Sequence, residues 1–173
     1  MIRIVISNII RFTFLILIQA LIVNRINILD GLVLPFVYIF AILMLPIQTP
    51  RLATLFIAFL TGLTMDMFTS TPGMHASSCL VIGYVQPFIL RFLSPREGYE
   101  YGQQPTIQSM GFRWYLIYAS ILVFVHHFVL FNIEYFRLSG ILYNLSTIIL
   151  SGIGTLILMI IGQYLIFKPK QHV

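Results

Sequence analysis

Four ionisable side chains sit where ionisable groups are costly. Asp66, His75, His126 and His127 lie inside long apolar stretches of the chain. A charge or an imidazole at bilayer depth faces a protein interior or a cavity and marks a candidate site. Asp66 lies in Gly62-Leu-Thr-Met-Asp-Met-Phe68, and His75 follows the turn Thr69-Ser-Thr-Pro-Gly73. One short hairpin therefore brings Asp66 and His75 together. Two readings of the carboxylate stand side by side. It binds a partner or ligand, or it accepts backbone N–H bonds at the turn and caps the next helix. A neutral His75 ring would suit it as a donor. His126 and His127 are adjacent, so on a helix they point about 100° apart, and one can face the bundle while the other faces elsewhere. An i,i+4 pair, as in H-E-x-x-H, would favour a metal, and that spacing is absent. His126 then reads as a hydrogen-bonding group between helices, with ligand binding as the sharper alternative. Glu134 and Arg137 are three apart and suit a local ion pair of small value.

No nucleotide loop, serine nucleophile motif or metal-ligand spacing occurs. The expectation is a protein with no enzymatic activity, no cofactor and no metal. Cys79 is a single cysteine, which excludes an internal disulfide and a cysteine-rich metal site.

The elements that must position these groups follow from composition. Of 173 residues, 59% are hydrophobic and 9% are charged, and the mean hydropathy is +0.97. A soluble domain carries about 25% charged residues. This chain cannot cover a soluble surface, so its solvent is lipid. The net charge of +5 comes from scattered Lys and Arg, which does not suit nucleic acid. A spanning helix needs about 20 apolar residues. Six stretches qualify: Ile4–Val23, Leu32–Ile47, Leu52–Phe68, Met74–Leu93, Phe112–Ile133 and Ile141–Phe167. The expected fold is therefore all-α, a single integral membrane domain over 1–173 with six transmembrane helices. Leu32–Ile47 is short for a full crossing and is also compatible with thinning of the bilayer or a re-entrant path.

Charge orients the chain. With the N-terminus in the cytoplasm and six crossings, the inner side holds Arg3, Arg51, Arg91, Arg96, Arg113, Lys168 and Lys170. Arg11 joins them if it snorkels inward. Only Arg25 and Arg137 fall outside, so N-in and C-in is expected. Thr54, Ala58, Gly62 and Asp66 recur at four-residue spacing, a face on which another helix can approach closely. Cys79 with Gly83, and Ser151 with Thr155, make similar pairs of small residues. Tyr99, Tyr101, Trp114 and Tyr115 read as interface anchors. Ser94–Gly111 is the longest inner connection, and its Arg96, Glu97 and Glu100 offer a polar surface to a cytoplasmic partner.

The stretch Gly62-Leu-Thr-Met-Asp-Met-Phe-Thr-Ser-Thr-Pro-Gly-Met-His-Ala76 resembles the MreD family of rod shape-determining membrane proteins. Gly62, Asp66, Phe68, Gly73 and Ala76 carry the likeness. Pro87-Phe-Ile-Leu-Arg-Phe-Leu-Ser-Pro-Arg-Glu-Gly-Tyr-Glu100 resembles the version in Bacteroidota-type members. Length and apolar pattern extend the likeness over most of the chain; its specific part runs from Gly62 to Glu100. The resemblance implies a bacterial inner-membrane protein that works with MreC. MreB and the RodA–transpeptidase pair would be fellow members of the elongation complex that directs lateral peptidoglycan synthesis. It also implies a fold similar to the S components of energy-coupling-factor transporters. It brings no catalytic residues. The alternative is a substrate-binding subunit of a vitamin-type transporter, with Asp66, His75 and His126 lining an outward pocket. An intramembrane lipid enzyme is the weakest reading, for want of an acid/base pair.

Overall fold

The computed structural model describes residues 2–26, 28–134 and 141–166, and the side chains of 6–26, 28–134 and 144–166. Arg137, Lys168 and Lys170, and so the expected Glu134–Arg137 pair, lie outside the described residues. Within them the structure is all-helical. The α-helices are α1 (Ile2–Leu21), α2 (Ile39–Leu43), α3 (Arg51–Thr69), α4 (Met74–Phe92), α5 (Ile107–Met110), α6 (Phe112–Glu134) and α7 (Ile141–Ile166). Short 3-10 turns follow α1 at Val23–Arg25 and Leu29–Gly31.

Among the described residues, four stretches are long and apolar enough to cross a membrane: Ile6–Arg25, Arg51–Thr69, Phe112–Glu134 and Asn144–Ile166. Their outward faces are apolar, with Leu52 82% and Met67 79% exposed. Lipid is the medium in which such a surface is stable. The fifth long helix, α4, is more polar. It packs between α3 and α6 and buries His75, Ser78, Cys79 and Gln86.

Contacts fix the directions. Gly62 of α3 meets His75 and Ala76 of α4, while Ala58 meets Gly83, so the two helices are antiparallel. Trp114 and Tyr118 of α6 bond to Leu93 and Gln86 at the end and body of α4, again antiparallel. His127 of α6 meets Thr155 of α7. The bundle thus has two ends. The hairpin end carries Thr69–Gly73, and the loop end carries the connection from Ser94 to Gly111.

The expected helix over Leu32–Ile47 is corrected. Only Ile39–Leu43 is α-helical. The reason lies in Pro35 and Pro46. Proline has no backbone N–H and breaks a helix from within. The ten residues between them would make a helix of about 15 Å, half the hydrocarbon thickness. An extended stretch before α2 covers more distance per residue. The segment runs beside α7 in the same direction: Leu34 pairs with Ser151, Phe36 with Thr155, and Met44 with Gln163. Every residue from Pro35 to Leu45 is buried. This irregular strand of chain, and not a sixth helix, forms the middle of the core.

At the loop end the connection is pinned. Ile47 donates its N–H to the Gln103 carbonyl, and the Gln48 side chain bonds the backbone of Glu100 and Gly102. Tyr99 donates to the Leu90 carbonyl and Trp114 to that of Leu93. Tyr101 is exposed, but Tyr115 is fully buried and is not an interface anchor.

Candidate functional site

The hairpin site begins with two glycines. Gly73 adopts φ +85° before α4, a left-handed conformation that glycine reaches without strain. Having no side chain, it cannot cap the helix it precedes. The first N–H groups of α4 therefore need an acceptor from elsewhere. Gly62 supplies the room for one. A Cβ there would overlap the backbone of His75 and Ala76, so only glycine lets α3 approach this closely.

Asp66, one turn further along α3, is the acceptor. Its Oδ1 accepts from the His75 N–H at 2.9 Å and the Thr71 hydroxyl at 3.1 Å. Its Oδ2 accepts from the Ala76 N–H at 3.0 Å and the Gly73 N–H at 3.1 Å. The carboxylate is only 5% exposed and sits at the positive end of the α4 dipole. Backbone donors to an ionised carboxylate are among the strong hydrogen bonds of proteins. Of the two readings of Asp66, the geometry is that of a cap supplied across the hairpin. Thr54, Ala58 and Gly62 are buried on the same face of α3.

The imidazole of His75 does not meet the carboxylate; only its backbone does. The ring reaches the core segment instead. Tyr38 Oη lies 2.9 Å from His75 Nδ1 and 2.8 Å from His126 Nε2. Cys79 Sγ donates toward the same oxygen at 3.6 Å. Phe36 packs edge-on against the rings of His75 and His126 and at a tilt against His127. His126 and His127 are both fully buried, and both face the core segment. The 100° between them is used to grip two points of that segment. His127 Nδ1 lies 2.8 Å from the Val123 carbonyl and must carry the proton there. In the neutral ring Nε2 is then an acceptor, 3.1 Å from the Thr155 hydroxyl, whose one proton it shares with the Ser151 carbonyl at 2.8 Å. That hydroxyl oxygen also accepts the Phe36 N–H.

The same pattern continues along the core segment. Irregular backbone at bilayer depth is tolerated only where protein satisfies its polar groups. Gln19 of α1 donates to the Pro35 carbonyl and accepts the Val37 N–H. Ser151 accepts the Leu34 N–H. Gln86 donates to Ile42, Tyr118 to Leu43 and Arg11 to Met44. Arg11 thus bonds inside the bundle. Each of these helices spends its polar side chain on one stretch of chain.

Of the residues singled out in the sequence, Gly62, Asp66, Gly73, His75 and Ala76 converge at the hairpin end. His126 joins them through Tyr38. Phe68 is on the outside of α3, 53% exposed. Arg96, Glu97 and Glu100 are exposed at the loop end, far along the bundle axis from Asp66. Tyr38, Phe36, Gln19 and Gln86 escaped the reading of the sequence. The available signal was one glutamine in each of α1, α4 and α7, isolated in apolar surroundings, together with the Pro35–Pro46 bracket. Among the described residues, no group of three or more His, Cys, Asp or Glu is placed to hold a metal ion.

No family model, curated protein or solved structure matches the chain.

Proposed function

We propose that this chain is a membrane scaffold of the MreD type, without enzymatic activity of its own, acting with MreC in the bacterial elongation machinery. The observation that carries the reading is the use made of the Gly62–Ala76 stretch, the part of the sequence that resembles the family. Its glycines and its aspartate form one structural unit: Gly62 admits the backbone of α4 and Asp66 caps it. A carboxylate engaged by four donors holds a shape; a general base needs a free lone pair aimed at a substrate. A rigid outer hairpin is what a partner helix or ectodomain can dock on.

The transporter alternative would draw its ligand contacts from Asp66, His75 and His126. Asp66 is spent on the α4 terminus, and one ring nitrogen of each imidazole is engaged by Tyr38, while His126 Nδ1 has no hydrogen-bond partner among the described residues. That use of the same atoms favours the scaffold.

In this reading the bundle lies in the inner membrane with a fold akin to transporter S components. The core segment supplies one of six crossings, and the loop end and both chain termini are cytoplasmic. Arg51, Arg91, Arg96 and Arg113 at the loop end agree with that orientation. MreC is the direct partner proposed, and MreB and the RodA–transpeptidase pair share the complex. The exposed Arg96, Glu97 and Glu100 are offered to the cytoplasmic component.

The deciding experiment is affinity capture of the full-length tagged chain from detergent-solubilised membranes. MreC should co-purify in near-stoichiometric amount. Recovery of an ATPase pair in place of MreC would overturn the scaffold reading in favour of the transporter. Reporter fusions at Tyr101 and Ser70 should report cytoplasm and exterior respectively, and a cytoplasmic Ser70 would overturn the orientation.

A further inference from the structure

A cavity of about 370 Å³ lies between α1 and α3, and neither Asp66 nor any histidine lines it. Its walls include Phe12 and Ile16 of α1 and Ile57 and Thr61 of α3, with Leu45 of the core segment among them. Ile9 and Leu60 line it as well and are 59% and 43% exposed, so the space opens sideways from the bundle. We infer that this cavity seats one acyl chain of a membrane phospholipid.

Depth is the first argument. The lining runs from Asn8 to Ile16 in a helix that starts at Ile2, and from Ile57 to Thr64 in a helix that spans Arg51–Thr69. Both stretches are central in their helices, which places the opening at the level of the hydrocarbon. A water-soluble ligand would have to cross lipid to reach it.

Chemistry is the second. The Thr61 and Thr64 hydroxyls donate to the carbonyls one turn back in their own helix, at 2.7 Å in each case. They present methyl groups to the space. No charged side chain lines it. Asn8 and Thr13 contribute the remaining polar groups, and Asn8 Oδ1 is buried with no hydrogen-bond partner among the described residues.

Shape is the third. The space opens sideways between two helices, and a single flexible chain can follow it along both walls. The seated chain would fill the gap beside a helix whose buried Leu15 and whose Arg11 and Gln19 hydrogen bonds join it to the bundle.

This inference rests on the membrane reading of the apolar helices, and one experiment separates the two. The full chain is reconstituted in nanodiscs containing a phospholipid with a mid-chain diazirine, irradiated, and mapped by peptide mass spectrometry. Adducts on Phe12, Ile57 and Thr61 should exceed those on the outward Ile153 and Ile157 of α7 by at least threefold. Thr64→Phe and, independently, Thr13→Trp should lower the cavity adducts to the α7 level and leave α7 labelling unchanged. Thr13 is an exposed lining residue, so its replacement spares the core even if Thr64→Phe perturbs folding. Labelling of α7 without enrichment in the cavity would overturn the seated chain and leave only bulk lipid. Enrichment that survives both filling variants would overturn it too. No labelling of α7 at all would overturn the membrane reading with it.

Discussion

The hairpin at Gly62–Ala76 and the core segment at Leu34–Leu45 meet the same difficulty in opposite ways. Each has backbone groups that no helix pairs: the N–H groups of the buried His75 and Ala76 at the hairpin, and those of the buried core segment. The hairpin settles the matter locally: Asp66 reaches donors five to ten residues ahead of it in sequence. The core segment borrows partners from α1, α4, α6 and α7, up to 119 residues away. A local solution can form as soon as α3 and α4 pair. A distributed one requires the whole bundle to be in place. The contrast predicts that the hairpin concentrates its stability in one side chain, while the core segment spreads it over many.

The largest effect should come from Asp66→Ala. Unsatisfied buried groups cost about 1–3 kcal/mol each, and three backbone donors and one hydroxyl lose their acceptor here. Detergent-solubilised protein should lose several kcal/mol of stability, read as a large drop in apparent Tm and loss of the monodisperse peak. Asp66→Asn keeps the shape and one acceptor oxygen and should fall between the two. If stability is shared by the hairpin as it is by the core segment, Asp66→Ala will instead behave like any single core-segment variant.

Gln19→Leu is the matched test in the core segment. It strands the Pro35 carbonyl and the Val37 N–H, for a cost of about 2 kcal/mol. Thermal unfolding should show a smaller shift than Asp66→Ala. Protection of the Val37 amide in hydrogen exchange should fall, while that of Ala76 should not.

Tyr38→Phe removes the oxygen between the two regions. Two imidazole nitrogens lose a partner, but the aromatic packing against Phe36 remains. About 1–2 kcal/mol is expected, again by thermal unfolding. A double variant with Asp66→Asn sharpens the comparison. Additive losses would mean that hairpin and core segment are independent, and a coupling above about 0.5 kcal/mol would mean that His75 ties them together.

The smallest stability effect belongs to the joint replacement of Arg96, Glu97 and Glu100 by Ser. All three are exposed, so the unfolding transition should move by less than about 0.5 kcal/mol. On the proposed scaffold role, association with cytoplasmic members of the elongation complex should nevertheless weaken in pull-downs. Unchanged association would show that the loop is a spacer.

Helix character, the apolar surface and the hairpin were all legible in the residues. Apolar runs of helical length leave no other satisfied backbone in lipid. The Thr54–Asp66 stripe and the Thr69–Gly73 turn placed the carboxylate beside the start of α4, because those contacts are close in sequence. What could not be read was the choice between the two roles of Asp66. It depends on Gly62 letting α3 in far enough for the carboxylate to reach Gly73, His75 and Ala76. The ring of His75 shows the same limit: proximity in sequence suggested Asp66, but Tyr38 was the partner in space.

Composition and periodicity by themselves determined an all-helical protein with lipid as solvent and a Pro-Gly hairpin joining two helices. Hydropathy reports which residues avoid water, and it treats Leu32–Ile47 as it treats any spanning helix. Only the tertiary structure decided that this run is mostly not helical and fills the centre of the bundle. Its backbone is stable there because Gln19, Gln86, Tyr118, Ser151 and Thr155 arrive from four other helices. No local pattern encodes that convergence, since each of those residues is a lone polar side chain in its own helix and acquires a role only when the helices pack.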